Sequence, residues 1–215
     1  MDQNLLYSIN RDWTAPWLDK IMAAASSWSM WWPLLVLAVL AVLIFGGFRG
    51  RSYIVCCLIS IAFVDGLMTN SLKKIIGRPR PHMVMPEVRQ VDLAKATPRM
   101  MAVFQPVKAH LSEPQIRPVR GGSFPSGHTA NNFCIATVSL IFFRRWGWLV
   151  YFPAALVSYS RVYVGSHWPS DILISALLSI GFTLLLLAAL GSLWKCFAPR
   201  FLGKLFVNHP QLIPS

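Results

Sequence analysis

Three short stretches of this chain carry the residue types that can handle a phosphate: Lys73–Pro81 (KKIIGRPRP), Ser123–Thr129 (SFPSGHT) and Ser160–Asp171 (SRVYVGSHWPSD). Lys73, Arg80 and Arg161 are fixed positive charges, and the arginine fork matches phosphate oxygens. Ser126 and Gly127 stand just before an apolar run. Free backbone N–H groups there, with the positive end of a helix dipole, suit an anion, and the glycine lets the backbone approach closely. His167 and Asp171 are four apart. On one helical turn the carboxylate would accept the proton of one ring nitrogen and leave the other as a nucleophile. His128 is a second imidazole, suited to protonating a leaving oxygen. These groups are the complement needed for phosphoryl transfer through a phosphohistidine.

Taken singly, each feature has a plainer reading. A basic pair after an apolar span is a topology signal, a lone His–Asp pair is a structural hydrogen bond, and Pro125–Gly127 is an ordinary helix-start turn. Lys74 and Arg78 read as headgroup contacts with an auxiliary role left open. Asp65 reads as structural or as the partner of a buried donor, again with a direct role left open. Co-occurrence on one side of a membrane is what favours chemistry.

The elements that must position these groups follow from composition. The chain has 215 residues, 55% of them apolar, and only 13% are charged against roughly 25% in an average globular domain. Eight acids and twenty bases cannot cover a soluble surface, and the apolar content excludes disorder. The bilayer is the solvent this chain expects. Its formal charge of +12 fits anionic headgroups better than nucleic acid, because the bases lie between apolar stretches. Cys56, Cys57, Cys134 and Cys196 lack metal-ligand spacing and read as free thiols. No metal and no cofactor are expected.

The fold class expected is all-α: a polytopic membrane helix bundle of about five transmembrane helices plus an N-terminal interfacial helix, forming one domain over 1–215. Residues 1–27 read as the interfacial segment. Spans are expected at Trp31–Phe48, Ser52–Leu72, His128–Phe143, Trp146–Val164 and Ile172–Trp194, with GFRGR as a short loop after the first and tryptophans as an interfacial belt. Residues 82–124 have no span-length apolar run and read as an extramembrane cap. Alternation of five spans puts all three motifs on one face. Arg49, Arg51, Arg144, Arg145, Lys195, Arg200 and Lys204 fall on the other. The motif side has more bases in raw number, but several of those belong to the clusters, so the short basic loops assign the other face to the cytoplasm.

The three clusters together resemble the type 2 phosphatidic acid phosphatases, integral-membrane lipid phosphatases related to vanadium haloperoxidases. Their pattern, K-x6-RP, PSGH and SR-x5-H-x3-D, is filled here by Lys73 with Arg80–Pro81, by Pro125–His128, and by Ser160–Arg161 with His167 and Asp171. The resemblance implies a haloperoxidase-like helical core in which His167 attacks phosphorus, Asp171 orients it, and His128 protonates the leaving group. Lys73, Arg80, Arg161, Ser126 and the Gly127 amide would hold the phosphoryl oxygens. It implies a hydrolase acting on a lipid phosphate or diphosphate in the bacterial inner membrane, with the site facing the periplasm or exterior. Undecaprenyl diphosphate is the first substrate expected. Phosphatidate, phosphatidylglycerophosphate, lipid A and transfer to another lipid are the alternatives, and an anion transporter is the reading outside enzymes.

Overall fold

The structure, a computed structural model, describes residues 1–113 and 122–213. The N-terminal segment forms α1 (Asp2–Tyr7), a wider π-helical turn (Ser8–Asp12) and α2 (Pro16–Ser26). Pro16 starts α2 at a position where its missing N–H is not needed. This segment does more than lie at an interface. Leu6, Ile9 and Met22–Ala25 are buried, α1 packs on the start of α9 (Pro169–Phe201), and α2 packs along α8 (Tyr151–Tyr163).

Helix α3 (Trp28–Phe45) buries none of its residues, as a helix facing lipid should. It ends at Gly46, and α4 (Gly47–Phe63) begins at once. The expected GFRGR loop is therefore the first turn of α4. Gly46 and Gly50 lie so close to the Val42 backbone that one residue suffices for the reversal. Helix α4 continues through a widened turn, Val64–Thr69, into α5 (Asn70–Ile76). Gly77, at φ +60°, closes α5, and the prolines of GRPRP prevent it from continuing.

Outside the long helices lie α6 (Pro81–Val84), β1 (Arg89–Asp92), a 3-10 turn (Arg99–Phe104) and β2 (Lys108–Leu111). The strands pair antiparallel, Arg89 opposite Leu111 and Asp92 opposite Lys108. This hairpin is the small strand content of an otherwise helical fold. It is pinned by Asn10, whose Nδ2 donates to the carbonyls of Arg89 (2.8 Å) and Tyr163 (2.6 Å), and whose Oδ1 accepts from the Arg89 N–H (2.8 Å). Residues 114–121 of the expected cap lie outside the described residues.

Helix α7 (Gly127–Phe142) is the axis of the bundle, packed against α4, α8 and α9. Small residues make the close contact. Asp171, Ser175, Ser179, Thr183 and Leu187 recur every four residues along α9 and are buried, and the Ser179 hydroxyl donates to the Ala130 carbonyl (2.6 Å). Among the described residues, α3, the helix begun at Gly47 and α9 are long and apolar enough to cross a membrane. The two other expected spans correspond to α7, at 16 residues, and α8, at 13 residues with a 3-10 turn (Gly147–Val150) before it. At 1.5 Å per residue, 16 residues reach about 24 Å, less than a hydrocarbon core of about 30 Å. Helix α10 (Gly203–Asn208) closes the described chain, with His209 stacked on Phe48 at 3.9 Å. The four cysteines are free thiols, three of them buried.

Gly165, at φ +70°, turns the chain from α8 toward His167. A Cβ there would meet Val88 Cγ1 at 2.6 Å and the Arg89 carbonyl oxygen at 2.8 Å. Gly165→Ala combines left-handed strain with a clash against backbone, and should destabilise the fold by about 1–3 kcal/mol. A lowered thermal midpoint of the detergent-solubilised variant checks this, and an unchanged midpoint contradicts it.

Candidate active site

At the end of the bundle where α5, α7 and α8 meet, a cavity of about 470 Å³ opens. Lys73, Arg80 and Arg161 line it together with His128 and His167, so five of the predicted residues converge from three separate motifs. Gly127 and Asp65 line it as well. Sequence reasoning assigned no part in the site to Trp28, Ile61, Asn131 or Asn132, which complete the wall. By its place in the sequence Trp28 belongs to an interfacial belt, and nothing in its spacing marks it as facing a site.

The motif between α5 and α6 delivers two cations. Lys73 sits in the last turn of α5, and Arg80 just before Pro81 starts α6. Arg161 lies near the end of α8 and donates from Nη1 to the Ser26 hydroxyl on α2. The N-terminal segment therefore holds one of the site's guanidinium groups. At the start of α7 the Ser126 hydroxyl accepts from the Thr129 amide (3.4 Å) and the Thr129 hydroxyl (3.1 Å), and the Ser126 N–H donates to the Ser175 hydroxyl (2.9 Å). Ser126 is fully buried, caps the helix and does not itself line the cavity. The first-turn amides of α7 at Gly127 and His128 remain at the cavity, the positive end of the helix dipole.

His167 departs most from expectation. Its Nδ1 donates to the Ser123 carbonyl (2.6 Å), while Asp171 Oδ2 lies 4.0 Å from that nitrogen, beyond a hydrogen bond. The expected direct His–Asp bond is absent because Asp171 is engaged elsewhere. It is fully buried and accepts from the Ser123 hydroxyl, from the Trp168 N–H (3.1 Å) and from Arg78 Nη1 (2.6 Å). Asp171 thus reaches His167 through Ser123: the carboxylate holds the hydroxyl and the same residue's carbonyl holds the imidazole. A carbonyl only accepts, so Nδ1 carries the hydrogen and neutral His167 keeps a lone pair on Nε2.

Arg78 is neither a headgroup contact nor part of the cavity wall. It bridges Asp171 and Asp2 (2.7 Å), donates to the Ser170 hydroxyl (2.8 Å) and lies over the Trp168 ring at 5.0 Å. Asp2 in turn accepts from the Ser170 N–H (3.0 Å) and hydroxyl (2.6 Å). Removing Arg78 would withdraw a partner from a buried carboxylate, a loss of about 3 kcal/mol. Lys74 is exposed and outside the site. Ser123 and Asp2 are the residues that sequence reasoning missed here. Ser123 stood inside a recognised motif, but which of its atoms face inward is a tertiary matter.

Burial, followed by the charges of Arg161 and Arg80, pushes the His167 pKa well below its ordinary 6.5. A depressed imidazole stays neutral as pH falls, so the nucleophilic form persists through pH 6.5 and is lost only below it. The fold correspondingly loses stability as pH drops below 6.5, where the unfolded imidazole takes up a proton that the folded one refuses.

Residues 53–195 match the PAP2 superfamily, and the chain belongs to it. A lipid A 4'-phosphatase from Bacteroides thetaiotaomicron is 29% identical over 76% of this chain and 66% of its own length. The undecaprenyl-diphosphatase BcrC of Bacillus subtilis is 28% identical over 76% of this chain and 70% of its own. The chain thus spans about two thirds of the length of these relatives. Among solved structures, LpxE of Aquifex aeolicus superposes with a TM-score of 0.58 at 24% identity, covering 85% of this chain and 92% of that one. A PAP2-type phosphatidylglycerolphosphate phosphatase of Bacillus subtilis gives 0.51 at 21%, covering 85% and 83%. Both share this chain's fold.

Ser123→Ala removes the hydroxyl that ties Asp171 to the loop and leaves the carbonyl free to drift. It should lower kcat by about 10- to 100-fold with little change in KM, and Ser123→Thr should restore most of the loss. Steady-state kinetics on lipid phosphate decide this, and a KM effect alone would contradict it. For His167, a ¹⁵N-histidine NMR titration should place the midpoint below 6.5, the resonance being assigned by its loss in His167→Ala.

Proposed function

We propose that this protein removes the terminal phosphoryl group from a lipid-linked phosphate or diphosphate through a phosphohistidine, without a metal. One observation carries the lipid part of the reading. The catalytic cavity shares Trp28, His128 and Asn132 with an apolar groove of about 260 Å³, walled by Trp31, Leu35, Pro153, Leu156 and Val157. A phosphate among the cations can have its tail in this groove, with the ester oxygen beside His128. The lipid substrates named for the relatives agree with such a tail.

In this scheme Lys73, Arg80, Arg161 and the first amides of α7 hold the phosphoryl oxygens and the charge that builds on them. His167 Nε2 attacks phosphorus; the P–N bond forms as the bond to the leaving oxygen breaks. His128 gives its proton to that oxygen. A water then attacks the phosphohistidine and passes its proton to His128, the P–N bond breaks, and inorganic phosphate leaves. Asp171, Arg78 and Ser123 position His167 without touching the reacting atoms. The site faces the periplasm or exterior of a bacterial inner membrane in this reading, because the basic residues Arg49 and Arg51 at the start of α4 and Arg144–Arg145 after α7 mark the opposite face as cytoplasmic. The hairpin and the surrounding segment act as the extramembrane cap of one domain.

Solubilised protein should release phosphate in the presence of a chelator from at least one of undecaprenyl diphosphate, phosphatidate, phosphatidylglycerophosphate and lipid A. His167→Ala should fold and lose turnover by about 10³-fold or more. Retained turnover in that variant would sink the phosphohistidine. A periplasm-only reporter fused after Ser215 should be silent, and its activity there would reverse the orientation.

A further inference from the structure

The floor of the cavity has no part in the chemistry above. Asp65 comes from the widened turn between α4 and α5, a place where an extra residue re-aims a side chain. Asn131 and Asn132 follow His128 by three and four residues, so α7 carries them on the same face one turn deeper. All three line the cavity. Asp65 Oδ1 lies 3.4 Å from the point where a Cβ on Gly127 would sit, one residue from His128. An acid at this depth is costly without a partner. The Lys73 ammonium is near, 3.9 Å from the same point, yet among the described residues Asp65 forms no salt bridge. Asn132 donates its Nδ2 to the His128 carbonyl (2.9 Å), which leaves Oδ1 as an acceptor.

The floor below the proton donor therefore presents a carboxylate and an amide oxygen, both acceptors. We infer that it is a subsite for the leaving alcohol, taking one that carries a hydroxyl or amide N–H on the carbon next to the ester-bearing carbon. The inference rests on the phosphatase reading above, which puts the leaving oxygen beside His128. A neighbouring donor then meets Asp65 and bonds its carboxylate. A diphosphate brings a second phosphate to the same place. That group offers only acceptors and a negative charge, which the carboxylate repels. Asp65 is a specificity determinant in this account: it sorts phosphomonoesters of hydroxyl- or amide-bearing lipids from prenyl diphosphates.

The test compares substrates differing by one hydroxyl. The value of kcat/KM is measured in mixed micelles for 1-acyl-lysophosphatidate, for its 2-deoxy analogue and for undecaprenyl diphosphate, with wild type and Asp65→Asn. Wild type should favour the hydroxyl-bearing ester over the deoxy ester by about tenfold or more, and over the diphosphate. Asp65→Asn should bring the hydroxyl preference below about threefold and raise the relative rate on the diphosphate. A preference that survives in Asp65→Asn, with all substrates slowed alike, means that Asp65 serves only Lys73 and overturns the inference. Equal wild-type rates on the two esters, or a wild-type preference for the diphosphate, overturn it too. If Asp65→Asn does not fold, Asn132→Ala replaces it with the same criterion. Absence of any His167-dependent phosphate release from these lipids or from the wider panel would instead defeat the phosphatase reading itself.

Discussion

Lys73, Arg80 and Arg161 crowd into one cavity at the end of an apolar bundle, where like charges repel and burial disfavours each of them. Much of the remaining architecture keeps these groups together. Ser26 on α2 engages Arg161, Asn10 pins the hairpin to the end of α8, and Gly77 with the prolines after it brings Arg80 back over the site. A dianionic phosphate relieves this repulsion, so the cavity favours the ligand through electrostatic preorganisation before any specific contact forms.

A second network of opposite sign stands behind the first. Asp171 collects Ser123, Trp168 and Arg78, and Arg78 passes on to Asp2. Its effect is to fix the loop 164–168 and the imidazole on it. Neutral His167 with Nδ1 bonded to a carbonyl keeps its Nε2 lone pair, and burial, followed by the surrounding positive charge, keeps it unprotonated. The charge proposed to hold phosphate therefore also helps to keep this imidazole neutral. The hydrolase scheme depends on both networks, since a cation cluster alone would bind an anion without cleaving it.

The membrane divides the labour among helices. Helix α3 faces lipid along its whole length, whereas α7 and α8 are shorter than a bilayer core and are sheltered by their neighbours. The apolar groove beside His128 lies where these two kinds of helix meet. It shares Trp28, His128 and Asn132 with the cavity, an arrangement suited to a substrate with one end in lipid and the other in water.

Much of this was legible in the sequence. Apolar runs and the scarcity of charge demand a bilayer, and the alternation of spans forces Lys73, Arg80, His128, Arg161 and His167 onto one face. Those five do line one cavity. The sequence could also name Asp171 as the partner of His167, because four residues make one helical turn. It could not see that α9 begins only at Pro169, which leaves His167 in the loop before the helix and routes the contact through Ser123. Ser126 likewise looked like a phosphate ligand because a serine before a helix has two uses, capping and binding. The structure shows the capping use, with the Ser126 N–H also tied to Ser175 on α9. Spacing along one helix is local and is written in the chain. Which of two compatible partners a side chain takes depends on elements distant in sequence, and only the tertiary structure decides it.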